Sequence, residues 1–154
     1  MLYAMTEKRE ANFVIRPFHE GDEEAVIALW RECGLVVPTN DPRKDIQRKR
    51  QEDPGRFLVV ERDGRIVGAV MFGYDGHRGS VNYLAVAPAC RKLGLGRLLM
   101  DRVEADLRAL GCPKINLNIR HTNKEVRAFY ERLGFREDLV ATYGKRLVDD
   151  SQSG

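Results

Sequence analysis

Two glycines and three cations stand together in "RKLGLGR", residues 91–97, between the apolar run "VNYLAVAP" and the amphipathic run "LLMDRVEADLRAL". These flanks predict that a strand ends and a helix begins here. A helix N-terminus carries unpaired N–H groups and positive dipole charge, so cations are repelled there. Glycine is costly for a separate reason, because it is a poor helix former. A bound anion would offset both effects. The stretch indicates a phosphate- or pyrophosphate-binding turn, while an ordinary turn with surface cations fits the local pattern equally well.

Two familiar phosphate-binding loops do not fit this stretch. A P-loop requires G-x-x-x-x-G-K-[ST], which the sequence does not contain. A dinucleotide fingerprint requires a third Gly or Ala three residues after Gly96, where this chain has Leu99. The dinucleotide fingerprint also follows the first strand of its fold, whereas residues 91–97 lie deep in the chain.

The sequence around the glycines resembles the acyl-CoA signature of the GNAT family of N-acetyltransferases. In that family the motif [QR]-x-x-G-x-[GA] follows a strand that ends in V-x-P. Here Arg91, Gly94 and Gly96 occupy the fixed positions, and Val86 and Pro88 match the end of the strand.

A second block strengthens the resemblance. "NKEVRAFYERLGF" is similar to the family's N-x-x-A/V-x-x-x-Y-x-x-x-G-F pattern, with Asn123, Tyr130 and Gly134 at its fixed positions. The order of predicted elements agrees from about residue 13 to residue 147. The stretches "NDP", "GYDGHRGS" and "GCPKI" further resemble a bacterial subgroup usually labelled YpeA-like.

The resemblance implies that acetyl-CoA is the cosubstrate and that no metal takes part. Its pantetheine arm would pair with the backbone of Leu84, Ala85 and Val86, and Asn123 would hydrogen-bond the arm. The N–H of Val86 would polarise the thioester carbonyl, and Tyr130 would protonate the departing thiolate. The pyrophosphate would bind beside Arg91, on the amides of Lys92, Leu93, Gly94, Leu95, Gly96 and Arg97.

The residue that deprotonates the attacking amine is not evident. Many family members place a Glu on the fourth strand, but residues 80–88 contain no acid. Asp75, His77 or a water molecule are the candidates, and both residues also suit the turn that they occupy. An enzyme that acetylates a primary amine and a non-catalytic CoA-binding or regulatory module are both compatible with these motifs.

The acceptor is an amine-bearing substrate that the sequence does not identify. Trp30, Asn40, Asp41 and Tyr74 fall in or near the segments that wall the acceptor side in relatives. Trp30 also lies on an apolar helix face, where core packing is its expected role. A homodimer is left open.

Composition predicts a single cytoplasmic domain. The 154 residues suit one domain, and a net charge of +3 is too small and dispersed to indicate nucleic acid binding. Three cysteines without metal-ligand spacing suggest reduced thiols. No apolar run approaches the roughly 18–20 residues that cross a membrane, so no membrane partner is expected.

The predicted fold is a mixed α/β sheet of six to seven mostly antiparallel strands, with helices on both faces. Asp63-Gly64 predicts a hairpin, and "FREDLVATYGKRLV" predicts one or two final strands. The fourth and fifth strands, residues 80–87 and 114–120, flank a helix and are therefore expected to lie parallel in the sheet. By the resemblance, they also splay apart. Residues 1–11 are expected to be a disordered extension, residues 12–148 the GNAT domain, and residues 149–154 a flexible tail.

Overall fold

Antiparallel pairing of neighbouring strands builds most of the sheet. The structure, a computed structural model, describes residues 12–152, so the predicted extension at residues 1–11 lies outside the described residues. The strands, in chain order, are β1 (Phe13–Pro17), β2 (Phe57–Arg62), β3 (Arg65–Tyr74), β4 (Gly79–Val86) and β5 (Ile115–Asn116). The sheet order is β1-β2-β3-β4-β5, with β4 and β5 parallel and the other neighbours antiparallel.

Four α-helices lie among the described residues, and each starts near a residue that the sequence marks. They are α1 (Glu23–Glu32), α2 (Pro42–Glu52), α3 (Leu95–Ala109) and α4 (Lys124–Arg132). Asp41 and Asn123 cap α2 and α4, because their side chains accept the N–H groups of Arg43 and Val126. None of the helices described between residues 12 and 152 has the length and apolarity that a membrane span needs.

Helices cover both faces of the sheet, as predicted. On one face α3 packs against the sheet through its buried residues Leu95, Leu99, Met100, Val103 and Leu107. Leu98 and Leu110, which the periodicity would add to this stripe, are exposed. The other face carries α1 and α2, where Trp30 stacks on Tyr83 of β4 with ring centroids 4.0 Å apart.

The predicted hairpin at Asp63-Gly64 is confirmed. Both residues adopt positive φ, 50° and 76°, and they join β2 to β3. A type I′ turn demands this conformation, and Asp and Gly tolerate it better than most other residues.

The predicted count of six to seven strands is wrong for the described residues, because the sheet has five. Residues 136–149 contain no strand, and β5 is only two residues long instead of the seven expected from residues 114–120. An extended segment becomes a strand only where a neighbouring backbone is free to pair with it. Because β5 pairs with β4 over so short a length, it offers no long edge to the segment that follows α4.

The chain turns back onto α2 at its C-terminal end. Within the segment predicted as a flexible tail, residues 149–154, residues 150–152 form a 3₁₀ turn in which Asp150 is buried. The Asp150 carboxylate accepts the N–H of Asp41 at 2.8 Å and the Arg48 guanidinium at 2.7 Å. These two bonds fix the turn against the start of α2.

Candidate active site

The N-terminus of α3 presents a row of unpaired amides. Gly94 adopts the left-handed conformation with φ 78°, and the Leu98 N–H donates to its carbonyl at 3.1 Å. Among residues 12–152, no backbone acceptor reaches the N–H groups of Leu95, Gly96 and Arg97. Such amides, together with the helix dipole, form an anion-binding site of the kind inferred from the sequence.

Cations surround this helix N-terminus, and the first turn of α3 contains no acidic residue to balance them. Arg91, Lys92 and Arg97 are all exposed. The Arg91 Nε donates to the Val86 carbonyl at 3.3 Å, and Arg97 donates to the carbonyl of Arg132 at the end of α4 at 3.4 Å. These contacts tie the two guanidinium groups to the end of β4 and the end of α4.

The two glycines serve different purposes. At Gly94 a β-carbon would meet no atom within 4 Å, so the positive φ is what demands glycine there. At Gly96 a β-carbon would lie 2.9 Å from Cζ of Phe129 in α4. Gly96 was predicted to belong to an anion-binding turn, and the structure shows that close packing of α3 on α4 also requires glycine there.

The strands β4 and β5 pair at only one end. Gly79 opposes Ile115 and Ser80 opposes Asn116, and no further residue of β5 pairs with β4 in the described structure. The rest of β4 therefore has one backbone edge without a strand partner. This arrangement agrees with the predicted splayed pair.

The backbone of Val86 faces the opening beside β4. The Ala87 N–H donates to the Val67 carbonyl of β3 at 2.8 Å. Because successive strand residues direct their backbone groups to opposite edges, those of Val86 and Leu84 point away from β3. Ala85, which opposes Ala69, directs its backbone towards β3 instead. Of the three residues predicted to pair with the pantetheine arm, Leu84 and Val86 therefore face the opening.

Tyr130 and Asn123 lie on α4. The Tyr130 ring packs edge-on against Phe129 and Phe135, and the residue is 7% exposed. Burial raises the pKa of its hydroxyl to about 12. The hydroxyl makes no hydrogen bond to the described residues, yet it is not enclosed. Tyr130 thus offers a protonated phenol whose hydrogen-bonding capacity is unused.

The turn before β4 lies at the closed end of the β4–β5 opening. Asp75 accepts the backbone N–H groups of His77 and Arg78, each at 2.7 Å, and these bonds lower the pKa of its carboxyl. From Gly79 to Val86 the strand runs about 3.3 Å per residue, hence roughly 20 Å. Asp75 and His77 are therefore remote from Val86, and Asp75 has the turn-forming role that was its alternative.

Tyr83 of β4 was not singled out from the sequence, and it links the strand to α2. It has a φ of 54° and lies in a bulge of β4, where Tyr83 and Leu84 together oppose Val70. Its hydroxyl donates to the Asp45 carboxylate of α2 at 2.6 Å, and burial beside that carboxylate raises its pKa. An aromatic residue in an apolar strand gives no sequence signal for such a hydrogen bond to a distant helix.

Two of the residues expected near the acceptor, Trp30 and Asn40, are engaged by other parts of the protein. Trp30 is fully buried in the core, and Asn40 accepts the Arg146 guanidinium at 2.7 Å. Cys33, which was not singled out, places its thiol 3.4 Å from the Val86 carbonyl. No group of three or more His, Cys, Asp or Glu side chains suited to a metal ion occurs in the described part of the chain.

Comparison with known proteins identifies the family of the chain. The model of the acetyltransferase (GNAT) family matches residues 22–135, a span that includes the amide row, the β4–β5 opening and Tyr130. The chain is 50% identical over 138 residues to an acetyltransferase of Pectobacterium atrosepticum, covering 90% of this chain and 98% of the relative.

Solved structures show the same fold. The PaiA N-acetyltransferase of Thermoplasma acidophilum, solved with coenzyme A, matches with a TM-score of 0.72 at 18% identity over 84% of this chain and 92% of that one. The ribosomal-protein-S18-alanine N-acetyltransferase of Escherichia coli matches with a TM-score of 0.69 at 20% identity, over 82% and 79%. With the family model and the half-identical relative, these matches show that the chain belongs to the GNAT family of acetyltransferases.

Proposed function

We propose that this protein is a cytoplasmic N-acetyltransferase that transfers the acetyl group of acetyl-CoA to a primary amine, directly and within a ternary complex. The observation that carries the proposal is the adjacency of two unsatisfied backbone features. The free amides at the start of α3 lie next to the end of β4 whose backbone faces the opening. One can bind an anion, and the other can bind an amide-bearing chain.

The amide row suits a diphosphate. The N–H groups of Leu95, Gly96 and Arg97 have no backbone partners in the described structure, and the space beside Gly94 is open. Exposed cations at Arg91 and Lys92 add charge-assisted contacts to the same anion. Leu93 is half-exposed at the rim of the turn. These residues would hold the diphosphate of CoA, as the family resemblance implies.

The opening beside β4 suits the pantetheine arm. The backbone groups of Leu84 and the N–H of Val86 would hydrogen-bond the amides of the arm, because unpaired backbone groups gain from such a partner. The Val86 carbonyl already accepts from Arg91 and Cys33. Asn123 already caps α4 with its carboxamide oxygen, so its NH₂ group is the part that can donate to the arm.

Acetyl-CoA supplies an activated acyl group when it is bound. The N–H of Val86 would stabilise the charge that develops on the acyl oxygen, a contribution of the oxyanion-hole type. Arg91 and the Cys33 thiol both donate to the Val86 carbonyl, which belongs to the next peptide unit, and so hold the end of β4 beside this N–H.

Tyr130 would act on the leaving sulfur. A hydroxyl with a pKa of about 12 is protonated throughout the neutral range, so it can always donate a hydrogen bond. Such a phenol would donate a hydrogen bond to the departing thiolate and supply the proton that the sulfur takes up, as the family resemblance implies.

We propose that water deprotonates the attacking amine, because Asp75 and His77 lie at the closed end of the opening. No acid occurs on β4, which is the observation that favours a non-catalytic CoA-binding module as the second candidate. The two candidates differ in one measurable product, the free thiol of CoA.

A thiol-release assay tests the proposal. Acetyl-CoA is incubated with the protein and a panel of amines: polyamines, amino acids, lysine peptides, peptide N-termini and aminoglycosides. The proposal expects amine-dependent thiol release that falls in the Tyr130→Phe variant. Calorimetric binding of acetyl-CoA without thiol release from any amine would favour the binding module, and absence of binding would contradict both candidates.

A further inference from the structure

The two halves of β4 direct their backbone groups to opposite edges. In the first half the N–H of Gly79 donates to the carbonyl of Lys114, beside β5, at 2.8 Å, so the odd-numbered residues face β5. After the last residue of the strand the N–H of Ala87 donates to Val67 of β3 at 2.8 Å, so there the odd-numbered residues face β3. Without this change of alternation, the N–H of Val86 would point towards β3 and away from the opening.

The change of alternation occurs at Tyr83. Asn82 of β4 opposes Met71 of β3. Three positions later Ala85 opposes Ala69, which is only two positions from Met71, so β4 carries one extra residue. Tyr83 lies in this bulge with a φ of 54°, a left-handed conformation that is costly for most residues with a β-carbon. Such a conformation persists only where the surrounding contacts impose it. The direction of every backbone group after the bulge therefore depends on what holds Tyr83.

Two contacts from the helices hold the side chain of Tyr83. Its ring stacks on Trp30 of α1 with centroids 4.0 Å apart, and Trp30 is fully buried. Its hydroxyl donates to the Asp45 carboxylate of α2 at 2.6 Å. The stack restrains the plane of the ring but lets the ring slide within that plane. The hydrogen bond prevents this sliding, because it fixes the end of the side chain.

The Asp45 carboxylate is itself held in one orientation. One oxygen accepts the Tyr83 hydroxyl, and the other accepts the Arg48 guanidinium at 3.0 Å. Arg48 in turn donates to Asp150 at 2.7 Å. The Asp45 side chain is only 17% exposed, so water competes little for these bonds. A carboxylate with a second partner anchors the tyrosine more firmly than a freely rotating side chain would.

We propose that Asp45 is a positioning residue for acetyl transfer, which acts through Tyr83 to keep the N–H of Val86 directed into the opening. The inference rests on the proposed function, because that function makes this N–H the donor to the acyl oxygen. Asp45 itself touches neither the cosubstrate nor the acceptor in this scheme. A merely structural bond between α2 and the sheet would affect stability and leave the turnover of the folded protein unchanged.

A double-mutant cycle of turnover tests whether Asp45 acts through Tyr83. Asp45→Ala and Tyr83→Phe remove the same hydrogen bond, and each is expected to lower kcat by about 10–100-fold, because a misplaced oxyanion donor stabilises the transition state poorly. The double variant should lose no more than either single variant. The dissociation constant of acetyl-CoA should change by less than about twofold, since the loss lies in the transition state. An unchanged kcat in either single variant, or multiplied losses in the double variant, would overturn the proposal.

Lys49→Met is the matched control. Lys49 also lies on α2, and it donates to the Phe72 carbonyl of β3, so the variant removes another bond between the same helix and the sheet. The bulge of β4 is not touched, and kcat should stay unchanged. A loss of kcat as large as that in Asp45→Ala would mean that any weakening of the attachment of α2 has this effect, and would overturn the specific role of Asp45.

Backbone amide NMR shifts of the ligand-free protein give a second test that needs no turnover. Asp45→Ala and Tyr83→Phe are expected to move the amide resonances of Leu84 and Val86, whereas Lys49→Met is not. If the wild type releases no thiol with any amine, the proposed function fails, while these shifts still test whether Asp45 holds the bulge. Amides of Leu84 and Val86 that do not move in Asp45→Ala would overturn the inference even in an active enzyme.

Discussion

The ring of Phe129 occupies the space in which a β-carbon on residue 96 would lie. An ideal β-carbon on Gly96 falls 2.9 Å from Cζ and 3.1 Å from Cε2 of that ring. Gly96 belongs to the first turn of α3 and Phe129 to α4, the helix that carries Tyr130. The closeness of these two residues therefore links the position of the anion site to the position of the proposed donor.

Substitution of Gly96 should cost stability before it affects ligand binding. Gly96→Ala forces Phe129 to move, and overpacking of this kind costs about 1–3 kcal/mol. We expect the free energy of unfolding in denaturant to fall by that amount. In the double variant with Phe129→Leu the cost should shrink, because the smaller side chain leaves room. Strictly additive effects of the two changes would contradict the packing role.

Tyr130 should matter for turnover rather than for binding. Removal of a hydrogen bond to the sulfur in Tyr130→Phe is expected to lower kcat by about 10–100-fold, while the dissociation constant of acetyl-CoA changes by less than about twofold. Kinetics at saturating acetyl-CoA and calorimetry separate the two quantities. An unchanged kcat would remove Tyr130 from the reaction.

Lys92 should contribute to coenzyme binding through charge. Lys92→Gln is expected to weaken CoA binding by about 3–10-fold at low salt, and by less at high salt because ions screen an exposed charge. Arg108→Gln provides the matched control, since Arg108 is an exposed cation in the last turn of the same helix. Equal losses in both variants, measured by calorimetry, would show that only the net charge matters.

Asp75 and His77 should be dispensable for deprotonation of the amine. Since both lie roughly 20 Å from Val86 along β4, Asp75→Asn and His77→Ala should leave kcat within about twofold and the pH dependence of turnover unchanged. A hundredfold loss of kcat in either variant at high pH as well as low pH would indicate structural damage. A loss confined to low pH would make that residue the base.

Asp150 should stabilise the fold in a pH-dependent manner. Hydrogen bonds from Arg48 and from the N–H of Asp41 lower its pKa to about 2, against about 3.9 in an unfolded chain. A carboxyl with a lowered folded pKa stabilises the fold above its unfolded pKa and loses that contribution as the pH falls through the folded value. The Tm difference between the wild type and Asp150→Asn should therefore be full above about pH 4 and shrink towards pH 2. A difference that does not vary with pH would contradict this assignment.

Local signals predicted several elements correctly. Asp63-Gly64 predicted its hairpin because few residue pairs tolerate positive φ at both positions, and Asn123 predicted a cap that the structure confirms. The change from an apolar run to an amphipathic run at residues 91–97 predicted the start of α3, where Gly94 is the N-cap residue. In each case the signal depends on the backbone of only a few neighbouring residues.

The features that sequence analysis missed depend on distant contacts. Phe129 lies 33 positions from Gly96, so the packing reason for that glycine could not be read from the motif. The stretch "FREDLVATYGKRLV" predicted one or two strands, but a strand also needs a free edge, and β5 does not provide one over this length. The same dependence hides the bond between Tyr83 and Asp45 and the docking of Asp150 on α2.

The central claim is that the free amides at the start of α3 bind the diphosphate of CoA. Backbone amide NMR shifts test it most directly, by titration of the wild-type protein with CoA and, separately, with pantetheine, which lacks the diphosphate. The proposal predicts that the amides of Gly94, Leu95, Gly96 and Arg97 shift strongly with CoA and little with pantetheine, while those of Leu84 and Val86 shift with both. Saturable CoA binding that leaves the amides of residues 94–97 unmoved would contradict it.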